Sequence, residues 1–166
     1  MIATASKHNF ELVKSLGAEA AFDYKDANVT DQINEYTKGN LKYVWDTIAL
    51  PPTAKICAAV ISPGGTYGAI LQVELPRDDV KKTFSLGYTA VGEPVKKWAF
   101  EHGGTRITTD FEFMKKWVKE IVDPLLAEGR IKVHPPQIGK GLDKVFEGFD
   151  LMRHDKVSGQ KLVYTL

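Results

Sequence analysis

The chain has 166 residues, of which 43% are hydrophobic and 26% are charged, and its net charge is +1. These values fit one domain of ordinary size with a real core, and they exclude a global electrostatic attraction to nucleic acid or to an anionic membrane. No apolar run approaches the ~18 residues that span a bilayer, and no secretory signal opens the chain, so the expected location is the cytosol.

Strands and helices alternate along the first part of the chain. Apolar runs typical of strands occupy 2–5, 20–24, 43–48 and 67–71. Between them, apolar residues repeat at helical spacing, and the stretch Pro63-Gly64-Gly65 reads as a turn. This alternation predicts an α/β fold with parallel strands joined by right-handed crossovers, and ligands at the carboxyl ends of the strands.

The regular alternation of strand and helix patterns ends in the second part of the chain. A strand-like run over 83–91 is interrupted by Gly87, and 94–106 is irregular. Asp110 is a candidate cap for a long amphipathic helix, which Pro124 should kink or force to restart.

The last elements are an extended segment at 131–138, a helix over 142–153 and a final strand from 158. Apolar residues at helical spacing predict that one side of this helix faces inward. That side carries Val145, Phe146, Phe149 and Met152.

Candidate metal and catalytic groups are few. Cys57 is the single cysteine and lies in an apolar stretch, so it is expected to be a buried, inert thiol. The four histidines have no spacing typical of a metal site. Asp23 and Asp46 follow predicted strands, and a turn or ribose-binding role is expected for them rather than a catalytic one.

The turn after the first strand is the first candidate site. Ser6, Lys7, His8 and Asn9 bring a hydroxyl, an ammonium, an imidazole and an amide, with no carboxylate. In dinucleotide-binding folds, a carboxylate near this place selects NAD, whereas small polar and basic residues admit the 2′-phosphate of NADP. The alternative is that Ser6 or Asn9 caps the next helix and Lys7 is a solvated charge.

Six stretches occur in the order found in zinc-independent medium-chain dehydrogenases/reductases: IATASKHNFELVKSLGAEAAFDYKD, YVWDTI, GGTYGAIL, GYTAVGE, LLAEGRIKVHPP and GKGLDKVFEGFDLMRHDKVSGQKLVY. The chain thus resembles the quinone oxidoreductase and zeta-crystallin type, and most closely the fungal trans-acting enoyl reductases of polyketide and toxin clusters. The resemblance implies NADP(H) as cofactor and reduction of an activated C=C bond, in an enoyl thioester or enone, or of a quinone, by hydride transfer. It also implies a small-molecule substrate, a polyketide synthase or carrier protein as partner, and no metal.

The resemblance also assigns site residues. Those expected to bind the cofactor are Ser6, Lys7, His8, Asn9, Tyr24, Leu71, Gln72, Val157 and Ser158. Those expected to lie beside the nicotinamide and the substrate are Leu86, Gly87, Tyr88 and Thr89. No catalytic proton donor is assigned.

The family pattern further implies that part of the fold is missing from these residues. The sequence contains no G-x-G-x-x-G, so the first Rossmann strand and its Gly-rich turn are expected to be absent. The expected division is a partial dinucleotide-binding domain over 1–106, and over 107–166 the end of that domain with a helix and strand that return to a catalytic domain.

Two expectations follow from that missing part. This chain alone should be inactive, and its two inner strands should pair directly or be bridged by another chain, for instance in a homo-oligomer that completes the sheet. A non-catalytic, cofactor-binding or structural relative is the alternative function.

Overall fold

Parallel strands joined by helices form the first half of the molecule, as predicted. The computed structural model describes residues 1–84, 87–93, 95–97, 100–102 and 105–166. The strands are β1 (Ile2–Ala5), β2 (Ala20–Asp23), β3 (Leu41–Asp46), β4 (Ile61–Ala69), β5 (Lys81–Phe84), β6 (Val95–Lys97), β7 (Phe100–His102), β8 (Pro136–Lys140) and β9 (Lys161–Thr165). The α-helices are α1 (Phe10–Ser15), α2 (Val29–Thr37), α3 (Pro51–Val60), α4 (Thr105–Lys116), α5 (Asp123–Ala127) and α6 (Lys144–Arg153).

The parallel strands form separate sheets. β1 pairs in parallel with β2, and β3, β4 and β5 form a second parallel sheet in that order. The predicted α/β class is therefore confirmed. Among the described strands β1 and β3 do not pair, so the expectation of direct pairing is wrong for this chain, while bridging by another chain stays a prediction.

The boundary between α3 and β4 differs from the prediction. The helix ends at Val60, and the predicted Pro-Gly-Gly turn lies inside β4, where the register with β3 shifts between Leu41 and Tyr43. Ile61 and Ser62 are buried, and the Ser62 hydroxyl donates to the carbonyl of Leu41 at 2.9 Å. These contacts place the two residues in the strand, and a bulge accommodates the extra residues.

The hydrophobic core lies on one face of the β3–β4–β5 sheet. One cluster packs α3 against β4 through Ala54, Ala58, Tyr67 and Leu75. A second cluster brings Val29, Ile33 and Val60 together, and α2 therefore packs beside α3. The opposite face of β3 carries Tyr43 and Trp45, which are exposed.

Arg77 fixes the end of α3. Its Nη1 donates to the carbonyl of Ala58 at 2.7 Å, and its Nε and Nη2 each lie 2.6 Å from a carboxylate oxygen of Asp79. The ion pair lowers the pKa of Asp79 through that hydrogen bonding. The guanidinium thus satisfies a helix-end carbonyl that has no partner within the helix.

The helical segment before the C-terminus begins earlier than predicted. It starts at Thr105, so Asp110 lies inside α4 and does not cap it. A π-helix spans Trp117–Val122, and α5 follows with Pro124 in its first turn. Val122 and Asp123 both keep right-handed helical angles, so the helix does not restart at Pro124, and the π-helical turn accommodates the missing N–H of the proline instead. The predicted domain boundary at 106/107 falls within α4, and this division stays a prediction.

The last elements form a small parallel unit, here called the C-terminal unit (residues 136–165). β8 and β9 pair in parallel, with α6 between them in sequence. Phe146, Phe149 and Met152 were expected to face inward, but all three are exposed. Amphipathic spacing identifies an apolar side of α6, and that side has no cover among the described residues.

Candidate functional site

The turn Ser6–Asn9 follows β1 directly at its carboxyl end. Ser6 is extended, and Lys7–Asn9 form one turn of 3-10 helix, closed by the Asn9 N–H donating to the carbonyl of Ser6 at 2.8 Å. Neither the Ser6 nor the Asn9 side chain caps the following helical turn. The capping alternative is therefore wrong, and both side chains are available for other contacts.

Ser6 and Tyr24 meet at the ends of two paired strands. Ala5 lies opposite Asp23 in the β1–β2 register, so the next residue on each strand comes to the same edge. The Ser6 hydroxyl lies 3.2 Å from the Tyr24 hydroxyl, and either group can donate. Each hydroxyl has one proton and two lone pairs, so the pair keeps one proton to donate to an incoming oxygen.

Lys7 brings a positive charge to this edge. Its Nζ lies 4.0 Å from a carboxylate oxygen of Asp23, and its side chain is 77% exposed. The other Asp23 oxygen accepts from the N–H of Lys25 at 3.0 Å, so the turn role expected for Asp23 is confirmed. An exposed ion pair of this length is weak, and the ammonium remains accessible to an anion.

His8 and Asn9 contact the far end of the chain. His8 Nε2 and Asn9 Nδ2 each lie 2.9 Å from the Ser158 hydroxyl oxygen. Gly159, with φ of +65°, allows this approach, because an added Cβ would lie 2.7 Å from Asn9 Oδ1. The structure therefore joins three of the predicted cofactor residues across about 150 positions.

The remaining predicted cofactor residues are not joined to the turn. Leu71 and Gln72 lie just past the end of β4 and are exposed, with no hydrogen bond to the turn among the described residues. Val157 is half-buried beside Ser158. Their cofactor contacts stay predictions.

Three of the predicted substrate residues, Gly87, Tyr88 and Thr89, lie on a 3-10 helix and not on a strand. β5 ends at Phe84, and Gly87–Val91 form the 3-10 helix. An added Cβ on Gly87 would meet no protein atom within 4 Å, and the expected close approach of its backbone to a ligand stays a prediction. Tyr88 is exposed and Thr89 is buried, whereas Leu86 lies outside the described residues. Substrate contact by this segment stays a prediction.

Asp46 organises the carboxyl end of β3, a role that sequence reasoning gave only as a turn or ribose contact. One carboxylate oxygen accepts from the N–H groups of Ile48 and Ala49 at 3.0 and 2.8 Å. The other accepts from the hydroxyls of Thr53 and Tyr67 at 2.8 and 3.1 Å. The turn role is confirmed, and four donors leave this buried carboxylate no free capacity for catalysis. The tyrosine and threonine partners, 21 and 7 positions away, had no local signal.

The same carboxylate affects two neighbouring acids. Burial, with a smaller contribution from the Asp46 charge, raises the pKa of the Cys57 thiol to about 12. The same causes raise the pKa of Tyr67. A thiol with so high a pKa is protonated at neutral pH, which agrees with the expected inert cysteine, although Cys57 is half-buried and not fully buried as predicted.

The donor set at the β1–β2 edge fits a phosphate group. The Ser6 and Tyr24 hydroxyls meet there, and the Lys7 ammonium is exposed 4.0 Å from Asp23, which gives a donor set suited to an anion. His8 and Asn9 instead contact Ser158. In the part of the chain that the structure describes, no three His, Cys, Asp or Glu residues cluster in a way that could hold a metal ion. The described residues therefore do not fit a zinc site. Nor does any described helix have the length and apolarity to cross a membrane.

The sequence is similar to a dehydrogenase family and to fungal reductases. Residues 1–93 match the family described as zinc-binding dehydrogenase. A trans-enoyl reductase of Alternaria alternata is 40% identical over 169 aligned residues, covering 100% of this chain and 48% of the relative. A dual trans-enoyl reductase/FAD-dependent monooxygenase of Aspergillus terreus is 41% identical over 92% of this chain and 22% of the relative.

A solved structure has the same fold. A quinone oxidoreductase of Pseudomonas syringae pv. Tomato superposes with a TM-score of 0.67 at 17% identity, covering 99% of this chain and 48% of that protein. The chain thus spans about half the length of this structure and of the Alternaria relative, and less of the Aspergillus relative.

Proposed function

The chain belongs to the zinc-binding dehydrogenase family, and from this we propose that it is the cofactor-binding part of an NADPH-dependent reductase of activated C=C bonds. The fungal relatives carry the name trans-enoyl reductase, which supports an enoyl substrate; an enone or a quinone is the wider class. A polyketide synthase or its carrier protein as the source of that substrate, and a cytosolic location, belong to the same proposal.

The observation that carries the cofactor preference is the donor set at the β1–β2 edge. The Ser6 and Tyr24 hydroxyls lie 3.2 Å apart, and Lys7 offers an exposed ammonium beside them. These groups would hold the 2′-phosphate of NADPH, whereas the ribose hydroxyls of NADH would leave them without an anion. When bound, NADPH supplies the hydride for reduction. We assign the described residues to binding and orientation and none of them to proton donation.

The test of the preference is Ser6→Asp in the natural gene product that contains this chain. A carboxylate at this position repels the phosphate and can accept from ribose hydroxyls. A charge-assisted hydrogen bond contributes about 1.5–3 kcal/mol, so NADPH affinity should fall by about tenfold or more while NADH affinity holds or rises. Both affinities are measured by fluorescence titration.

Ser15→Asp is the matched control, because it adds the same charge at the far end of α1. There the Ser15 hydroxyl donates to the carbonyl of Leu12, and Lys132 donates to the main-chain carbonyl of Ser15. This variant should leave both affinities within about twofold. Equal NADPH and NADH affinities in the wild type, or no response to Ser6→Asp, would refute the preference.

Turnover separates a reductase from a non-catalytic relative. We expect NADPH oxidation with an enoyl thioester from a gene product of the relatives' length, and little from the 166-residue chain, whose sequence has no G-x-G-x-x-G cradle for the pyrophosphate. Cofactor binding without turnover in the longer product would favour the structural relative. Robust turnover by the short chain would contradict the need for that cradle.

A further inference from the structure

A second lysine lies at the β1–β2 edge, directly after Tyr24. The Nζ of Lys25 lies over the face of the Tyr24 ring, 5.7 Å from the ring centroid. The hydroxyl of that same ring lies 3.2 Å from the Ser6 hydroxyl. We propose that Lys25 is a specificity-determining residue of this edge, whose ammonium binds the 2′-phosphate together with that of Lys7. The inference rests on the proposed NADPH preference and adds a second cation to the site.

The turn after β2 fixes the main chain of Lys25 beside the site. The carbonyl of Asp23 accepts from the N–H of Asp26 at 3.0 Å, and an Asp23 carboxylate oxygen accepts from the N–H of Lys25 at 3.0 Å. A side chain that bonds the backbone two residues further on is typical of a closed turn. The main chain of Lys25 is therefore held at the end of the strand, while its side chain is exposed.

The ring contact leaves the Lys25 ammonium able to bind an anion. A cation over a tyrosine face at an exposed site is only weakly held. In the part of the chain that the structure describes, no hydrogen bond or ion pair involves the Lys25 ammonium. Its three N–H groups can therefore all donate to phosphate oxygens, beside the phenol that shares the edge with Ser6.

The balance of charges at this edge explains why one lysine is not enough. The Lys7 Nζ lies 4.0 Å from a carboxylate oxygen of Asp23. The pKa of Asp26 is lowered, first by the hydrogen bond from the Asn28 N–H and to a smaller extent by the charge of Lys7. Lys7 alone would face both carboxylates, and their excess negative charge would repel a phosphate. The charge of Lys25 offsets that excess.

The first experiment compares affinity for adenosine 2′,5′-bisphosphate with affinity for adenosine 5′-monophosphate in the natural gene product. The two nucleotides differ only in the 2′-phosphate, and wild type should prefer the bisphosphate. Lys25→Gln keeps the reach of the side chain but not its charge, and it should lose about three- to tenfold of the preference at low ionic strength. Lys25→Arg should retain the preference, because arginine keeps the charge and also stacks on aromatic rings.

Lys55→Gln is the matched control, because it removes the same charge from an exposed position on α3. It should leave the preference within about twofold of wild type. Since Lys25 and Lys55 are both exposed, both variants should fold as wild type does.

The second experiment repeats these titrations as salt is raised from about 0.02 M to about 0.5 M, which shortens the range of charge interactions. The difference between wild type and Lys25→Gln should shrink, because Lys25 acts through its charge. A difference that salt does not change would overturn that role.

The outcomes separate the two proposals. Equal affinity of wild type for the two nucleotides would overturn the NADPH preference and this inference with it. A wild-type preference that Ser6→Asp abolishes and Lys25→Gln leaves unchanged would overturn the inference alone. Equal losses in Lys25→Gln and Lys55→Gln would do the same, because they would show a general effect of net charge.

Discussion

The core region (residues 18–80) and the C-terminal unit are built from the same elements, parallel strands and a connecting helix, yet they bury very different amounts. Every buried hydrophobic residue in the described part of the chain lies between Ala18 and Val80. In the C-terminal unit, Phe146 is 71% exposed, and Gly148 is the one described residue that is buried. Regular secondary structure is therefore not enough to form a hydrophobic core. The two regions differ in whether another layer of secondary structure packs against their apolar side chains.

The core region has that second layer in α2 and α3, and its buried polar groups are satisfied there. The C-terminal unit has a hydrogen-bonded backbone, but the apolar side of α6 faces outward. The chain spans about half the length of its Alternaria relative, and the expectation that α6 packs on a catalytic domain stays a prediction.

The largest effect is expected at Asp46. Asp46→Ala leaves the N–H groups of Ile48 and Ala49 without their acceptor, in a turn where Ala49 is buried and Ile48 is exposed. It also removes the acceptor of the Thr53 and Tyr67 hydroxyls. At about 1–3 kcal/mol for each, the free energy of unfolding should fall by roughly 4 kcal/mol in urea denaturation. Asp46→Asn, which keeps an oxygen for these groups, should cost less.

Asp31→Ala is the control for this change, because Asp31 lies exposed on α2. It should stay within about 0.5 kcal/mol of wild type. If the two alanine variants were equally stable, the Asp46 contacts would have no part in holding the core region.

A pair of truncations tests the comparison directly. Leu75 is 2% exposed, and Leu75→Ala should cost about 3 kcal/mol through the lost contacts and the cavity. Phe146→Ala removes more atoms from an exposed side chain and should cost about 0.5 kcal/mol or less in this chain. Urea denaturation of both variants gives the two values. Similar losses would show that the C-terminal unit has a core after all.

A smaller effect than that of Leu75→Ala is expected at Gly148, the tightly packed point of the C-terminal unit. The Tyr164 hydroxyl lies where an added Cβ would be, and Leu162 Cδ1 is 3.2 Å from that position. Gly148→Ala should displace the tyrosine and lower the free energy of unfolding by about 1–2 kcal/mol. Gly87→Ala, where an added Cβ meets nothing, is the control. Equal stability of the two variants would mean that α6 shifts freely over β9.

Local sequence signals predicted most of the strands and helices, but they predicted less well where a helix begins and which side chains are buried. Alternating apolar patterns predicted the first parallel strands and their helices, because the period of each element is written in adjacent residues. The start of α4 was missed because Asp110 is a good cap residue by its type, whereas the helix already begins at Thr105. The prediction that Phe146 faces inward was wrong because the spacing of apolar residues defines an apolar side of the helix but does not show whether another element packs against it.

Some contacts of the candidate site could likewise be expected from the sequence, and others could not. Ser6 and Tyr24 follow paired strands, so their approach could be expected from the family pattern and the strand order. The contacts of Ser158 with His8 and Asn9 join residues about 150 positions apart, and no local pattern encodes them.

That separation of His8 from Ser158 has a consequence during protein synthesis. The turn leaves the ribosome 150 residues before its partner, a delay of roughly 8–30 s at ~5–20 residues per second. During that time β1 and β2 can form and pair, while His8 and Asn9 have not yet made their hydrogen bonds with Ser158. The nascent chain can therefore form the β1–β2 edge about 150 residues before Ser158 is available to contact His8 and Asn9.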